Sequence, residues 1–221
     1  MFGKKRLTLF CGHYGSGKTN IAVNAAIALK KSYGNVALAD LDIVNPYFRT
    51  KDSSELLKEQ GIKLICSTYA NSNVDIPALP QDMYAITDDK SLRCILDIGG
   101  DDRGALVLGR ISDKIKEEND YEMLMVINSF RPLTRDTAST VEVLAEIETA
   151  AKMKFTGLVN NSNLGEETTA QDVLDSLSYA EEVSRATGLP VVATTVKTEL
   201  LSELGGKVPN LFPLKLQEKI L

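Results

Sequence analysis

Long apolar runs are missing from this 221-residue sequence, and nothing in it approaches the ~18–20 consecutive apolar residues of a membrane span. The apolar run nearest the amino end, Leu7–Cys11, is too short for a secretion signal, and a glycine loop follows it at once. Cysteine is scarce and scattered: Cys11, Cys66 and Cys94 form no CxxC or CxC pair. That spacing excludes a disulfide scaffold and a sequence-local metal cassette, and it suits reduced intracellular thiols. His13 is the only histidine, so a histidine-built metal centre has nothing to draw on. An excess of positive charge is also lacking. The net charge is −5, which argues against non-specific binding to nucleic acid or to an anionic membrane. Repeats, low-complexity tracts and an obvious linker are absent too. The expectation is one soluble, cytoplasmic domain spanning residues 1–221, with no nucleic-acid partner and no membrane attachment.

What is present reads as an alternation. Short apolar runs predict strands at Leu7–Cys11, Val36–Ala39, Ile62–Cys66, Cys94–Ile98, Met123–Asn128, Phe155–Asn160 and Pro190–Thr194. Helical spacing predicts helices over Thr19–Lys31, Thr137–Lys152 and Thr169–Thr187. The first is stopped by Tyr33-Gly34 and the last by Gly188-Leu189-Pro190. Continuous apolar strands alternating with helices predict an α/β fold: a mainly parallel sheet flanked by helices on both faces.

The segment Gly12-His13-Tyr14-Gly15-Ser16-Gly17-Lys18-Thr19 satisfies G-x-x-x-x-G-K-[ST], with a strand running into it and a helix running out. Glycines let successive backbone N–H groups turn inward as an anion nest, and the following helix adds its positive end. Lys18 is expected at the β- and γ-phosphates and Thr19 at magnesium, and Asn20 just beyond is counted with the nucleotide-binding set. Carboxylates belong at the ends of neighbouring strands, and they are there: Asp40-Leu41-Asp42 after one strand, Asp97 at the end of another, then Asp101 and Asp102. Such acids hold the magnesium shell or orient an attacking water.

Together these segments resemble the MinD/ParA/CobQ-type P-loop ATPases, the class that includes the nitrogenase iron protein. The likeness rests on Gly12–Thr19, on Asp40-Leu41-Asp42 as a switch I, on Asp97-Ile98-Gly99-Gly100 as a switch II, and on Gly157-Leu158-Val159-Asn160. The strand ending at Asn128 before a Thr/Arg-rich helix start adds to it, and the whole covers about residues 5–195. The resemblance implies the P-loop NTPase fold and ATP with Mg²⁺ as cofactors. It places Asp40 and Asp97 at the metal, Asp42 at the lytic water and Asn160 at the adenine edge, with Asn161 and Asn163 as rivals for that edge. It also implies an ATP-dependent homodimer. No Asn-Lys-x-Asp follows, so the usual acidic partner of guanine is missing. One position departs from the family: a second lysine is expected just after the first loop glycine, and His13 stands there. Histidine is shorter than lysine and is no permanent cation. Arg49, Arg103 and Arg110 are candidates to replace it.

Several other features carry weaker signals. Asn45-Pro46-Tyr47-Phe48-Arg49 puts two aromatics in the presumed switch I, equally suited to a partner surface or to the core. Asn128-Ser129-Phe130-Arg131-Pro132 forms a polar lip, with Arg131 and Arg135 as candidate partner or dimer contacts. Cys11 and Cys94 read as small core residues. The tail Val208–Leu221, interrupted by Pro213, reads as packed on the core rather than as a membrane anchor.

The expected function is an ATP-dependent switch with slow hydrolysis, acting on an unknown protein partner. Its rivals are a small-molecule kinase or ligase resembling dethiobiotin synthetase, in which Asp101, Asp102 and Arg103 face an acceptor, and a metal-centre maturation ATPase. A nucleotide-binding protein without turnover, suggested by His13, completes the set.

Overall fold

The computed structural model describes residues 2–41, 54–66, 81–99 and 102–216. Eight strands form one sheet in which every pairing is parallel. In chain order they are β1 (Leu7–Cys11), β2 (Val36–Leu41), β3 (Lys63–Cys66), β4 (Arg93–Ile98), β5 (Tyr121–Ile127), β6 (Gly157–Asn160), β7 (Val191–Lys197) and β8 (Leu211–Leu214). The spatial order is β3-β2-β4-β1-β5-β6-β7-β8. From β1 the chain builds one side of the sheet, and from β5 onward it builds the other. The carboxyl end of β1 therefore opens at the switch point, where open parallel sheets keep their ligand crevice.

The strands β1, β2 and β6 are buried on both faces along their whole length, and the period of two assigns the faces. Leu7, Leu9 and Cys11 pack into one core with Ala37, Ala39, Leu96, Ile98, Met123 and Met125. Phe10 packs into the other with Leu38, Ile95, Leu124 and Val126. The first face is covered by α4 (Asp102–Glu118) through Leu108, Ile111 and Ile115, by α5 (Thr137–Ala151) through Val143 and Leu144, and by α6 (Ala170–Thr187) through Ala180 and Val183. The second is covered by α1 (Lys18–Lys30), whose Ile21, Ala22, Ala25, Ala26 and Leu29 lie against it. Shorter helices complete the chain: α2 (Ser54–Glu59), α3 (Gln81–Asp88) and α7 (Leu201–Leu204). The result is a parallel sheet flanked by helices on both faces, as the alternation predicts, and the P-loop NTPase fold that the resemblance implies.

Local signals set the ends of the later helices. Asp136 caps α5 by accepting from Ser139 N at 2.9 Å. Thr169 and Asp172 form a reciprocal capping box at the start of α6, and Gly188 in the left-handed region closes it. The predicted strands shift by a few residues. The one predicted from Phe155 begins at Gly157, and the one predicted to end at Thr194 continues to Lys197. Of the predicted tail, Leu211–Leu214 forms β8 at the sheet edge, where Pro213 is tolerated because an edge strand leaves one side without ladder bonds. Asn24 of α1 clamps the next residue, accepting from Lys215 N at 2.9 Å and donating to Lys215 O at 3.0 Å. Residues 217–221 lie outside the described residues. Among the described residues no helix is long and apolar enough to cross a membrane.

Candidate functional site

The loop between β1 and α1 is held in shape by its own backbone and by one asparagine from across the sheet. Ser16 N donates to His13 O at 3.2 Å, and Ile21 N donates to Gly17 O at 3.2 Å. Gly17 starts the helix with φ +89°. A β-carbon there would be strained and would collide with the Asn161 amide nitrogen. Gly12 is equally constrained, because a β-carbon on it would stand 2.5 Å from Val126 O in β5. The Asn161 amide is buried between the loop and β7, donating to Ser16 O at 2.5 Å while its oxygen accepts from Thr195 Oγ1.

Within the loop, Lys18 is buried and its Nζ donates to His13 O at 3.1 Å. The ring Nδ1 of His13 lies 3.1 Å from Tyr14 O. Tyr14 itself is 56% exposed. The Ser16 hydroxyl is wholly buried against Gly12 and has no hydrogen-bond partner among the described residues. A buried hydroxyl without a partner is costly, so a loop that encloses one suits an anion that would engage it.

The acids reach the loop from the neighbouring strands. Asp40 in β2 and Asp97 in β4 stand side by side in register, and Asp97 is also level with Phe10 of β1. Strand parity puts both acids on the face that carries α1, with Leu38 and Ile95. Asp97 accordingly accepts from Thr19 Oγ1 at 2.6 Å, which ties the first turn of α1 to the end of β4. Both acids are buried. The resulting set of hydroxyl and carboxylate oxygens is of the kind a hard divalent cation takes. Cys11 is buried at the end of β1, just before the loop, and Cys94 is buried near the start of β4, level with Leu7. Burial pushes the Cys94 thiol up to about 12. It raises the Cys11 thiol as well, against the opposing pull of Lys18, so both are inert packing groups.

A second cavity opens beside Gly17 and Asn20. Its wall is built from Asn161 and Asn163 after β6, Gly165 and Thr168 ahead of α6, Thr195–Lys197 in β7, and Leu214 and Leu216 at the chain's end. Asn160 is fully buried and does not line this cavity. Its amide donates to Ser176 Oγ in α6 at 2.9 Å and accepts from Ser162 N at 3.2 Å. The reason is parity: Val159 faces the α1 side, so Asn160 faces α6, and only the next residue turns back to the loop. Asn163 is held in the wall by donating to Asn161 O at 2.7 Å and accepting from Gly165 N at 3.0 Å. Asn20 lines the cavity as well, with its backbone and side-chain oxygens both accepting from Asn24 Nδ2.

The structure thus brings Gly12–Thr19, Asn20, Asp40 and Asp97 together. Asp42, residues 45–49 (Arg49 with them), Gly100 and Asp101 lie outside the described residues, as do the side chains of Cys66, Asp102 and Arg103. Arg110 sits in α4 as an exposed residue. The contributions of Thr168, Thr195–Lys197, Leu214 and Leu216 are absent from the sequence-based site. No local motif marks them, since each is an ordinary residue that faces the loop only through the strand order.

No family model matches this sequence, and no curated protein matches it. Solved structures do. The signal recognition particle receptor FtsY from Elizabethkingia anophelis, in complex with GDP, is 17% identical with a TM-score of 0.51, over 89% of this chain and 58% of that one. FtsY from Mycoplasma mycoides is 15% identical with a TM-score of 0.53, over 86% and 60%. Cell division protein FtsY from Thermotoga maritima is 20% identical with a TM-score of 0.55, over 86% and 61%. The chain spans about three-fifths of the length of these structures. At such identities the likeness is one of fold, and it is to the P-loop NTPase fold.

Proposed function

We propose that this chain is a cytoplasmic, single-domain, magnesium-dependent ATPase of MinD/ParA-like type that works as a switch, its ATP state recognised by a protein partner or a second copy of the chain. The observation that carries this reading is the Thr19–Asp97 hydrogen bond of 2.6 Å. It joins the phosphate loop directly to Asp97 at the end of β4, the first residue of the switch II stretch Asp97-Ile98-Gly99-Gly100. Gly104 of α4 packs so close to the backbone of Gly99 that a β-carbon on it would stand 2.6 Å from Gly99 Cα. A change at Asp97 therefore has a short, packed route to α4, which a nucleotide switch requires. Magnesium, when bound, supplies charge neutralisation across the β- and γ-phosphate oxygens. Thr19, Asp40 and Asp97 are the residues that would hold it, Lys18 neutralises the phosphates, and Asp42 orients the attacking water.

For the base, what supports adenine is the cavity wall, which holds amides and hydroxyls but no carboxylate among the described residues. Asn163, with a donor and an acceptor on one amide, suits the adenine edge. The GDP in the Elizabethkingia FtsY structure favours a second reading, a guanine nucleotide in the same cavity.

The test separates binding from turnover. Lys18→Ala should weaken Mg·ATP binding by at least about 100-fold, as loss of a buried charged contact does. Asp42→Ala should bind ATP near wild-type affinity and release phosphate about 100-fold more slowly, as loss of a positioned catalytic group does. Titration with fluorescent nucleotides and phosphate-release assays measure the two. Wild-type affinity in Lys18→Ala would sink the phosphate assignment, and GTP binding tenfold tighter than ATP would move the base assignment to guanine.

A further inference from the structure

The guanidinium of Arg131 lies on the main chain of the phosphate loop. A β-carbon on Gly15 would stand 3.4 Å from Arg131 Nε, 3.6 Å from Cζ and 3.7 Å from Cδ. The arginine thus occupies the space above Gly15 that a side chain would otherwise fill. Lys18 Nζ reaches across the loop to His13 O, so residues 13–15 form the rim of the cradle where the β- and γ-phosphates arrive.

The position of Arg131 is set by the fold. Its N donates to Asn128 O at 3.1 Å, and its carbonyl accepts from Thr134 N at 3.0 Å. Its backbone is extended, at φ −109° and ψ 135°, as the following Pro132 demands. The turn is braced on both sides. Ser129 N donates to Ser162 Oγ at 3.0 Å, Thr134 Oγ1 donates to Asn128 O at 2.8 Å, and Tyr179 OH donates to Thr134 O at 2.6 Å.

Arg6 pairs with Glu118 and Arg135 with Asp136, but among the described residues no carboxylate lies within ion-pair distance of Arg131. A planar fork of donors held by a rigid turn over an anion nest, and not neutralised by a carboxylate, is pre-organised for phosphate oxygens. His13 does not fill this role, because its ring folds back on the neighbouring backbone.

We propose that Arg131 is the second cation of the phosphate site, acting within its own chain on the terminal phosphate of the nucleotide. It meets the charge that develops there from above the loop while Lys18 meets it from within. The proposal rests on the reading of Gly12–Thr19 as a nucleotide site. It assigns to the turn after β5 the role that the position of His13 leaves open.

The full-length chain tests this with ATP, ADP and their fluorescent analogues. Arg131→Ala should weaken Mg·ATP about tenfold and Mg·ADP by less than about threefold, because the contact is to the terminal phosphate. Phosphate release should fall about 100-fold, the scale of losing one pre-organised charge-stabilising donor. Arg131→Lys should recover part of the ATP affinity and little of the rate, since it keeps the charge and loses the fork. The melting temperature should stay at the wild-type value, because the side chain is exposed. An unchanged ratio of ATP to ADP affinity in Arg131→Ala overturns the proposal. Mixing Arg131→Ala with Lys18→Ala separates same-chain from neighbour-chain action. No recovery of phosphate release supports the proposal, and recovery overturns it by placing Arg131 on another chain's nucleotide. If wild type bound no nucleotide and Lys18→Ala were indistinguishable from it, the nucleotide reading would fall and this proposal with it. Tight wild-type binding with an unaffected Arg131→Ala sinks the proposal alone.

Discussion

The two ends of the site are built in opposite ways. The phosphate end is eight consecutive residues, Gly12–Thr19, shaped by their own hydrogen bonds and by the start of α1. The base end is assembled from Asn161 and Asn163, the approach to α6, the carboxyl half of β7, and residues just at and after β8. If the proposed reading holds, the first end works mainly through backbone N–H groups and one lysine, which any triphosphate satisfies. The second then works through side-chain amides and hydroxyls held in a wall, which can tell one base from another. On the proposed nucleotide reading, binding strength would be a local property of this chain and base choice a tertiary one. The ends touch at Gly17, which belongs to the loop, lines the cavity and packs on Asn161.

That contact is the place to break the contrast. Gly17→Ala should cost the most, because it strains a residue at φ +89° and drives a methyl group into Asn161. Stability should fall by about 1–3 kcal/mol, the usual cost of a non-glycine residue forced into a sparsely populated backbone region. ATP and GTP affinity should fall together by about 100-fold or more, since the nest itself is displaced. Calorimetric melting and nucleotide titration check both. Equal melting and binding to wild type would show that the ends are not joined there.

Asn163→Ala sharpens the contrast with a smaller effect. It removes one amide from the base wall, so ATP affinity should drop about fivefold to tenfold, the worth of one hydrogen bond. The preference between ATP and GTP should shrink while the preference between ATP and ADP holds. A change in the ATP to ADP ratio instead would place Asn163 at the phosphates. The smallest effect belongs to Thr169→Ala, which removes the cap of α6 behind the base wall. It should cost about 1 kcal/mol of stability, the usual worth of a helix cap, and leave nucleotide affinity unchanged. A shift in base preference there would mean that the wall depends on how α6 begins.

Much of the fold was readable because its signals are local. Seven strands announce themselves as apolar runs, and the capping box at Thr169 and Asp172 marks the start of α6 within four residues. β8 is less legible, since a four-residue edge strand containing Pro213 has neither the length nor the composition of a buried one. α4 also escapes the pattern reading, as its start at Asp102 follows a glycine- and aspartate-rich stretch that reads as a turn. At the site, Asn160 shows how fine the margin is. Strand parity turns Asn160 to Ser176, while Asn161 and Asn163 line the cavity beside Gly17.

By itself, the sequence determined the alternating α/β architecture, the phosphate loop and the acids at the ends of β2 and β4. Each of those follows from residues within a few positions of one another, where backbone geometry and periodicity leave little choice. Only the tertiary structure decided which asparagine faces the cavity, what closes its far wall and where Arg131 stands. Those depend on which strand lies beside which, and on which face a residue lands, and neither is a property of any short stretch of chain.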